Sequence, residues 1–463
     1  MLRQFASFIS FILLIASIQS YAQEKNTNVT AEEKVMIIEK ISKLLNENYV
    51  FPEIAAQIEK DLKKKLEDGS FDEVSNKKEF AEVLTKEVQS ISKDKHMRVR
   101  VRPPQPLSPT TKPNPVAEFY EFRTSMQQEN FGFTRVEKLE DNVGLLEITG
   151  FPPLQMSKEY ADLAMKFLQH SDALIIDLRR NGGGSPDLIQ YICSYLFEKP
   201  THINSIYNRV ENRTEDFITF EKVDGKKLSD VPVFVVTSKH TFSGGEEFAY
   251  NIQTQKRGLL IGETTGGGAN PGGTFPVDED ILIFVPTGRA INPITKTNWE
   301  GTGVKPDIQI DSAIALDTAI TYAREAAKKH RLVKDKAVYK LIDEIGANMD
   351  LAERLFSENN LVKADELVQT TLEKGLNGNL LGEESINLLG YEYLGREKFL
   401  AAIAIFKFNT KLYPESANVF DSLGEAYMKS GNKDQAVLNY KKSLSLNPQN
   451  SNAVEMLKKL EMN

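Results

Sequence analysis

Four short apolar segments in the middle of the chain limit its fold most strongly. They are Val143–Ile148, Ala173–Leu178, Val231–Thr237 and Leu259–Ile261. Helical patterns separate them at residues 158–169, 187–197 and 245–255. A strand that is apolar on both faces must be covered on both sides, and alternating strands and helices are typical of a sheet packed between helices. The pattern therefore predicts an α/β core in which helices cover a sheet.

The segment before this core is predicted to be a small helical domain. Apolar residues recur at helix spacing between Thr30 and Ser92. Residues 97–101 alternate as a strand, and the proline-rich stretch 103–115 has too little apolar content to pack. We therefore expect a helical domain over residues 28–102, followed by a linker.

The end of the chain contains a repeat. Six pairs of matching residues share one offset: Leu389 and Leu423, Gly390 and Gly424, Tyr393 and Tyr427, Ala402 and Ala436, Phe406 and Tyr440, and Pro414 and Pro448. Their spacing resembles the tetratricopeptide repeat, in which small residues let two antiparallel helices approach each other. We therefore predict an all-α repeat domain over residues 338–463, with an atypical first repeat at 351–372 and a closing helix after Pro448.

The first 22 residues have the pattern of a secretory signal peptide. Arg3 precedes an apolar run from Phe5 to Ile18, and Ser20-Tyr21-Ala22 offers a small-residue cleavage site. An uncleaved membrane anchor is the alternative, but a spanning helix needs roughly 20 apolar residues and this run is shorter. We expect cleavage after Ala22 and an exported protein, periplasmic or secreted, with no stable membrane span.

The composition excludes several other classes of protein. A formal net charge of -8 gives no basic surface for nucleic acid. Cys193 is the single cysteine, so no internal disulfide can form. The five histidines do not occur in the spacings that are typical of zinc sites, and we expect neither a metal nor a cofactor.

The residues that suggest chemistry occur at two strand-to-helix turns of the predicted core. In the first turn, the strand ending at Leu178 runs into Gly182-Gly183-Gly184. Consecutive glycines permit positive φ angles and leave N–H groups open to a ligand. A phosphate loop and a simple turn are alternatives, but the glycine spacings of the known nucleotide-binding loops are absent.

The second turn presents a candidate nucleophile. The strand ending at Thr237 leads through Thr241-Phe242-Ser243-Gly244 into a helix. This position would expose the Ser243 hydroxyl at the edge of the sheet, beside a helix N-terminus that favours a developing oxyanion. A helix N-cap serine is the alternative, because serine is common there.

Together these motifs resemble the tail-specific, or C-terminal processing, serine peptidases, whose core is shared with tricorn protease and interphotoreceptor retinoid-binding protein. The resemblance covers residues 143–310. It includes four ordered motifs: Asp177-Leu178-Arg179, Thr241-Phe242-Ser243, Gly262–Gly267 and Gly301–Asp307. The resemblance implies that Ser243 is the nucleophile of a serine endopeptidase and that the substrate is a polypeptide.

The resemblance also implies which residues assist Ser243. One branch of the family uses a lysine after the serine, but Gly268 occupies that position here. In the tricorn-like branch a histidine is the base and a glutamate orients it, and His96 and Glu300 match those positions. A relay serine that this branch places beside its histidine is replaced by Lys95, so whether Glu300 contacts His96 directly stays open.

The oxyanion-hole positions of the family match Gly183 and Gly244. His240 is a weaker candidate base, because it lies too close to Ser243 along the chain. The remaining histidines are His170, His202 and His330, and none of them lies in a family motif.

These features predict an exported serine endopeptidase that cleaves unstructured or C-terminal segments of proteins, with its catalytic core at residues 116–330. Many relatives carry a PDZ domain before this core, but residues 103–140 are too few to form one. We therefore expect the repeats to select the substrate or to bind a protein partner. The alternative is a non-proteolytic protein that binds a ligand or another protein through the same fold and the repeat scaffold.

Overall fold

The computed structural model describes residues 28–102 and 115–462. The predicted signal peptide and nearly all of the predicted linker lie outside these ranges. The chain forms two compact units that divide between Lys328 and Lys329. Within the described ranges, we find no helix with the length and hydrophobicity needed to cross a bilayer.

The elements of the first unit, in chain order, are α1 (Ala31–Asn48), α2 (Pro52–Glu67), α3 (Lys77–Ser92), β1 (Arg98–Val101), α4 (Pro115–Gln128), β2 (Phe133–Leu139), β3 (Val143–Ile148), α5 (Leu154–Leu168), β4 (Ala173–Asp177), α6 (Pro186–Ser194), β5 (His202–Asn208), β6 (Arg213–Ile218), β7 (Val233–Thr237), α7 (Gly244–Thr254), β8 (Gly258–Gly262), β9 (Gly272–Pro276), β10 (Ile281–Pro286), β11 (Gly288–Ile291), β12 (Ile308–Gln309) and the first part of α8 (Ser312–Ser357). The second unit continues with the rest of α8, α9 (Leu361–Asn377), α10 (Glu383–Gly395), α11 (Phe399–Leu412), α12 (Ala417–Lys429), α13 (Lys433–Leu446) and α14 (Ser451–Met462).

A six-stranded sheet forms the centre of the first unit. Its strand order is β12-β8-β7-β4-β3-β2, and all neighbours are parallel except β2 and β3. Helices α5, α6 and α7 contribute to the core on one face. The other face packs against alanines of α8 at four-residue spacing, from Ala315 to Ala327. The predicted α/β core, a sheet covered by helices, is confirmed.

The N-terminal helices share a hydrophobic core with a second sheet, of order β1-β10-β9. Val99 of β1 pairs with Ile283 of β10, and both side chains are buried in that core. This pairing attaches the segment just after His96 to a strand from the later part of the chain. The helical N-terminal region is confirmed, while the boundaries at 28–102, 116–330 and 338–463 remain predictions.

A third sheet, of order β11-β5-β6, completes the first unit. Its strands, and the hairpin of β9 and β10, were not predicted.

Paired helices make up the second unit. Helices α12 and α13 repeat the lengths and spacing of α10 and α11. A Cβ atom on Gly390 would lie 2.4 Å from the Phe406 ring, and one on Gly424 would lie 3.0 Å from the Tyr440 ring. The glycines therefore let paired helices approach. The predicted all-α region is confirmed, and its assignment to the tetratricopeptide class remains a prediction.

Candidate active site

Ser243 lies in the turn between β7 and α7, directly before the first residue of the helix. Its backbone has φ 54° and ψ −118°, a conformation that L-residues rarely adopt. The Ser243 N–H donates to the Glu246 carboxylate at 2.9 Å, which helps to hold this conformation. Strained backbone of this kind is concentrated at functional sites, where the surrounding structure maintains it.

The glycine loop after β4 packs directly against this turn. Gly183 has φ +104°, and a Cβ atom there would lie 2.7 Å from the Ser243 Cβ and 2.8 Å from the Gly244 nitrogen. Both contacts are too short for any side chain. The structure therefore brings the two predicted oxyanion-hole glycines together beside Ser243.

The N–H groups at this contact differ in their availability. The Gly183 N–H donates to Asn181 Oδ1 at 2.9 Å. The structure describes no partner for the N–H of Gly184 or of Gly244, and a Cβ on Gly244 would lie 3.0 Å from the Gly184 nitrogen. In this geometry the N–H of Gly184 is the one in the loop that is free to bind an oxyanion. The sequence could not show which of the adjacent glycines would supply that N–H.

His96 lies against the same turn. Its backbone N–H donates to Asp94 Oδ1 at 3.0 Å, and the centroid of its ring is 4.6 Å from that of Phe242, the residue before Ser243. Its Nδ1 is buried and forms no hydrogen bond within the described part of the chain. Burial, with a smaller contribution from Arg98, lowers the pKa of His96 to about 4. The imidazole is therefore neutral at physiological pH, as a general base must be.

Gly268 explains why a histidine can occupy this place. A Cβ atom on Gly268 would lie 2.3 Å from Phe242 Cζ and 2.7 Å from His96 Cε1. The space that a side chain at this position would need is filled by the two rings. A lysine at Gly268 is therefore sterically incompatible with the observed position of His96.

Glu300 lies close to His96 and Asp94. Ligand atoms of these three side chains are all within 4.8 Å of one another. Glu300 Oε2 accepts the N–H groups of Ala269 and Asn270 at 2.6 and 3.2 Å. Its Oε1 is buried and has no hydrogen-bond partner within residues 28–102 and 115–462. Burial, followed by the charge of Asp94, raises the pKa of Glu300 to about 7.

Asp94 was not predicted as part of the site. It is fully buried, and its Oδ2 accepts a hydrogen bond from the Asn270 side chain at 2.9 Å. Burial raises the pKa of Asp94. Asp94, His96 and Glu300 are residue types that also bind metals, and in the described part of the chain they form the one such group. The expected absence of a metal and of a cofactor stays a prediction.

Glu246 is a second residue that the sequence analysis missed. Its buried carboxylate accepts the N–H groups of Ser243, Gly267 and Gly268 and the hydroxyl of Thr265. Burial raises its pKa. A glutamate three residues after a serine at a helix start is the spacing of a capping box, and this signal would have identified it.

Trp299 is buried and its indole N–H donates to the Gly268 carbonyl at 2.8 Å. It therefore helps to hold the loop beside His96 in place.

Two of the other histidines can be judged by their surroundings. His202 Nε2 lies 2.8 Å from Ser205 Oγ and 3.5 Å from Asp216 Oδ1. In a serine triad, one ring nitrogen of the histidine faces the serine and the other faces the acid. Here both Ser205 and Asp216 lie near the same nitrogen, so this cluster does not have the arrangement of a triad. His240 is exposed and lines a separate cavity with Arg179 and Ser312.

Comparison with known families fits this geometry. Residues 142–310 match the model of peptidase family S41. Residues 23–130 match the model described as the N-terminal domain of peptidase S41 in eukaryotic IRBP. Each match covers less than half of the chain, and together they show that its core and its N-terminal region are similar to this family. The predicted resemblance is confirmed, and the match supports the predicted enzyme class, a serine-type peptidase.

The individual relatives that match are distant. The chain is 28% identical over 171 residues to a carboxyl-terminal-processing protease of Picosynechococcus sp., covering 37% of this chain and 40% of that protein. It is 25% identical over 185 residues to a carboxy-terminal-processing protease of Bartonella bacilliformis, covering 38% and 41%. The chain thus spans less than half the length of the curated relatives it matches. The solved photosystem II D1 C-terminal processing protease is similar with a TM-score of 0.40 and 14% identity, over 64% of this chain and 97% of that one.

Proposed function

We propose that this protein is an exported serine endopeptidase of family S41 that uses Ser243, His96 and Glu300. The main support for the proposal is that two segments distant in the sequence, the glycine loop and the segment of His96, both contact the Ser243 turn. The glycine loop lies so close to this turn that only glycine fits at position 183. His96 packs against Phe242, the residue before Ser243.

In the proposed mechanism, Ser243 Oγ attacks the carbonyl carbon of the peptide bond. His96 accepts the hydroxyl proton and later donates it to the leaving amine. The imidazolium that forms between these steps is stabilised by the Glu300 carboxylate. His96 forms no hydrogen bond to Ser243 in the described geometry, and such bonds often tighten only when substrate binds.

The oxyanion of the tetrahedral intermediate would be held by backbone N–H groups. Gly244 supplies one donor, and the loop of Gly183 and Gly184 supplies the other. Preorganised N–H donors of this kind are among the largest contributions to acyl-transfer catalysis. For Gly183 to donate, its N–H must leave Asn181, whereas Gly184 needs no such change.

The substrate is a polypeptide, and we propose that it is cleaved in an unstructured or C-terminal segment. The names of the two curated relatives support the C-terminal segment. We further propose that the helical repeats form a tetratricopeptide domain that binds the substrate protein or a partner. The apolar run after Arg3 supports export to the periplasm or the medium.

A fluorophosphonate probe tests the proposal directly. We expect the full chain to be labelled and to cleave an unstructured polypeptide, and Ser243→Ala to lose both properties while remaining folded. Ser185→Ala, which changes a serine in the glycine loop, is the matched control and should be labelled. His96→Ala should lower the rate by about 10²- to 10⁴-fold.

A folded wild-type chain that is neither labelled nor active would favour the alternative, a non-proteolytic binding protein. Retained turnover in a folded Ser243→Ala chain would assign the nucleophile to another residue.

A further inference from the structure

A small cavity adjoins the proposed base. Its volume is about 170 Å³, and it is lined by Lys95, His96, Arg98, Arg100, Phe242 and Phe284. Two of these residues, His96 and Phe242, belong to the proposed catalytic site or lie next to Ser243. A substrate side chain in this cavity would therefore lie close to the bond that is cleaved.

The pleat of β1 places the two arginines at this cavity. Arg98 and Arg100 alternate with the inward-facing Val99 and Val101, so both arginines lie on one face of the strand. Arg98 lies directly opposite Phe284 of β10. The cationic side chains are therefore held beside an aromatic wall by the register of the sheet.

Lys95 is held at the cavity by a long-range contact. Its Nζ donates to the Gly266 carbonyl at 2.6 Å, and its own carbonyl accepts Arg98 Nε at 3.1 Å. These bonds use neutral acceptors and leave the positive charges of both side chains uncompensated.

The cavity carries uncompensated positive charge on a chain whose net charge is negative. Within residues 28–102 and 115–462, no carboxylate forms an ion pair with Lys95, Arg98 or Arg100. Some other arginines do form ion pairs, as Arg179 does with Asp177. The acids nearest to His96 are Asp94 and Glu300, and neither lines the cavity. Unpaired cations around a concave site attract anions.

We propose that this cavity is the subsite that binds a carboxylate of the polypeptide substrate, either an acidic side chain or the chain terminus. The proposal rests on the proposed peptidase function. The aliphatic part of the bound residue would pack on Phe242 and Phe284, while Arg98 and Arg100 would donate charge-assisted hydrogen bonds to its carboxylate. Such a subsite selects the position of cleavage.

The test uses the full chain and four matched peptides. Mass spectrometry of a digested peptide library first gives the preferred cleavage sequence. The four peptides share that sequence and carry either glutamate or glutamine at the preferred acidic position, with a free or an amidated C-terminus. We expect at least one carboxylate to raise kcat/KM by about tenfold, as charged hydrogen bonds do. The gain should shrink as salt screens the charges.

The variants Arg98→Gln and Arg100→Gln should each lower the ratio of kcat/KM between charged and neutral peptides several-fold. Lys86→Gln is the matched control, because Lys86 is exposed on α3 and does not line the cavity, and it should keep the wild-type ratio. A preference that follows the glutamate assigns the subsite to a side chain, and one that follows the free C-terminus assigns it to the chain terminus.

Equal kcat/KM for all four peptides would overturn the subsite while leaving the peptidase function intact, as would a preference that both arginine variants retain. Failure of the peptidase function itself has a different result, because the folded wild-type chain would then cleave none of the four peptides.

Discussion

Burial reverses the order of the pKa values of His96 and Glu300, the two proposed partners of Ser243. In free side chains the pKa of histidine is higher than that of glutamate. The pKa of His96 is lowered to about 4 and that of Glu300 is raised to about 7. Between about pH 4 and pH 7 the free protein therefore holds its proton on Glu300 while His96 is neutral. In the proposed mechanism a protonated Glu300 cannot stabilise the imidazolium, so we expect protonation of this carboxylate to limit activity at low pH.

We predict that kcat/KM falls as pH decreases through about 7. The folded pKa of Glu300 is above its ordinary value of 4.5, so this group stabilises the fold below pH 4.5 and loses that contribution as pH rises through 7. Activity and this stability term should therefore change in opposite directions. The measurements are a pH profile of kcat/KM and urea unfolding at pH 5 and 8.

Glu300→Gln should remove the step near pH 7 and lower kcat/KM by at least about tenfold, or about 1.4 kcal/mol in the barrier. Glu279→Gln, at an exposed glutamate, is the control and should keep the profile. A step that persists near pH 7 in Glu300→Gln would assign the titration to another group.

Among the secondary-structure elements, the first turn of α7 connects Ser243, the proposed nucleophile, to the loop beside His96. Glu246 accepts N–H groups from Ser243 on one side and from Gly267 and Gly268 on the other. The adjacent Glu247 is equally part of α7 and buried, but its polar neighbours are Asn204 and Asn251. The two glutamates therefore offer a matched pair, of which only the first contacts the site through its side chain.

We predict that Glu246→Gln lowers kcat by about tenfold or more and the free energy of unfolding by about 1–3 kcal/mol. An amide has one oxygen, so at least one of the N–H groups now bound would lose its acceptor and stay buried. The measurements are kcat, KM and denaturant unfolding. Glu247→Gln should keep the wild-type kcat, and an unchanged kcat in Glu246→Gln would mean that Glu246 does not position Ser243.

At the scale of the whole molecule, each unit has its own hydrophobic core. The first unit contains the central sheet with its covering helices, and the second contains the paired helices from α9 onward. The alanines of α8 that cover the sheet end at Ala327, before the second unit begins. The proposed catalytic residues all lie in the first unit.

We predict that a chain ending at Val333 folds and cleaves a short unstructured peptide at a rate within about tenfold of the full chain. It should lose its preference for a natural protein substrate, because the repeats that we propose to recognise it are removed. Peptide assays and a substrate-competition assay measure the two effects. A truncated chain that is folded but inert toward short peptides would make the repeats part of the catalytic architecture.

The four inner strands of the central sheet and the first three helices were predictable, because their apolar residues follow a strand or helix pattern over whole segments. The edge strands β2 and β12 were not predicted. Nor were the hairpins of β5 and β6 and of β9 and β10. Strand β6 is rich in polar residues and has a single buried residue, Phe217, and β9 begins with two glycines. Such strands are specified by pairing with neighbours more than by their own sequence.

The sequence by itself determined the residues that depend on local pattern. These are the Ser243 turn at the end of an apolar strand, the glycine loop, and the helix pairs at a fixed period. Motif matching also indicated His96 and Glu300, although nothing local connects them to Ser243.

The tertiary structure alone decided how those residues are arranged. Lys95 and Gly266 meet although they are 171 positions apart, and such contacts leave no periodic trace in a single sequence. The occupied N–H of Gly183, the role of Glu246 and the unpaired charges of Arg98 and Arg100 all follow from contacts of this kind. The raised pKa of Glu300 does so too, because desolvation depends on everything packed around a group rather than on its neighbours in the chain.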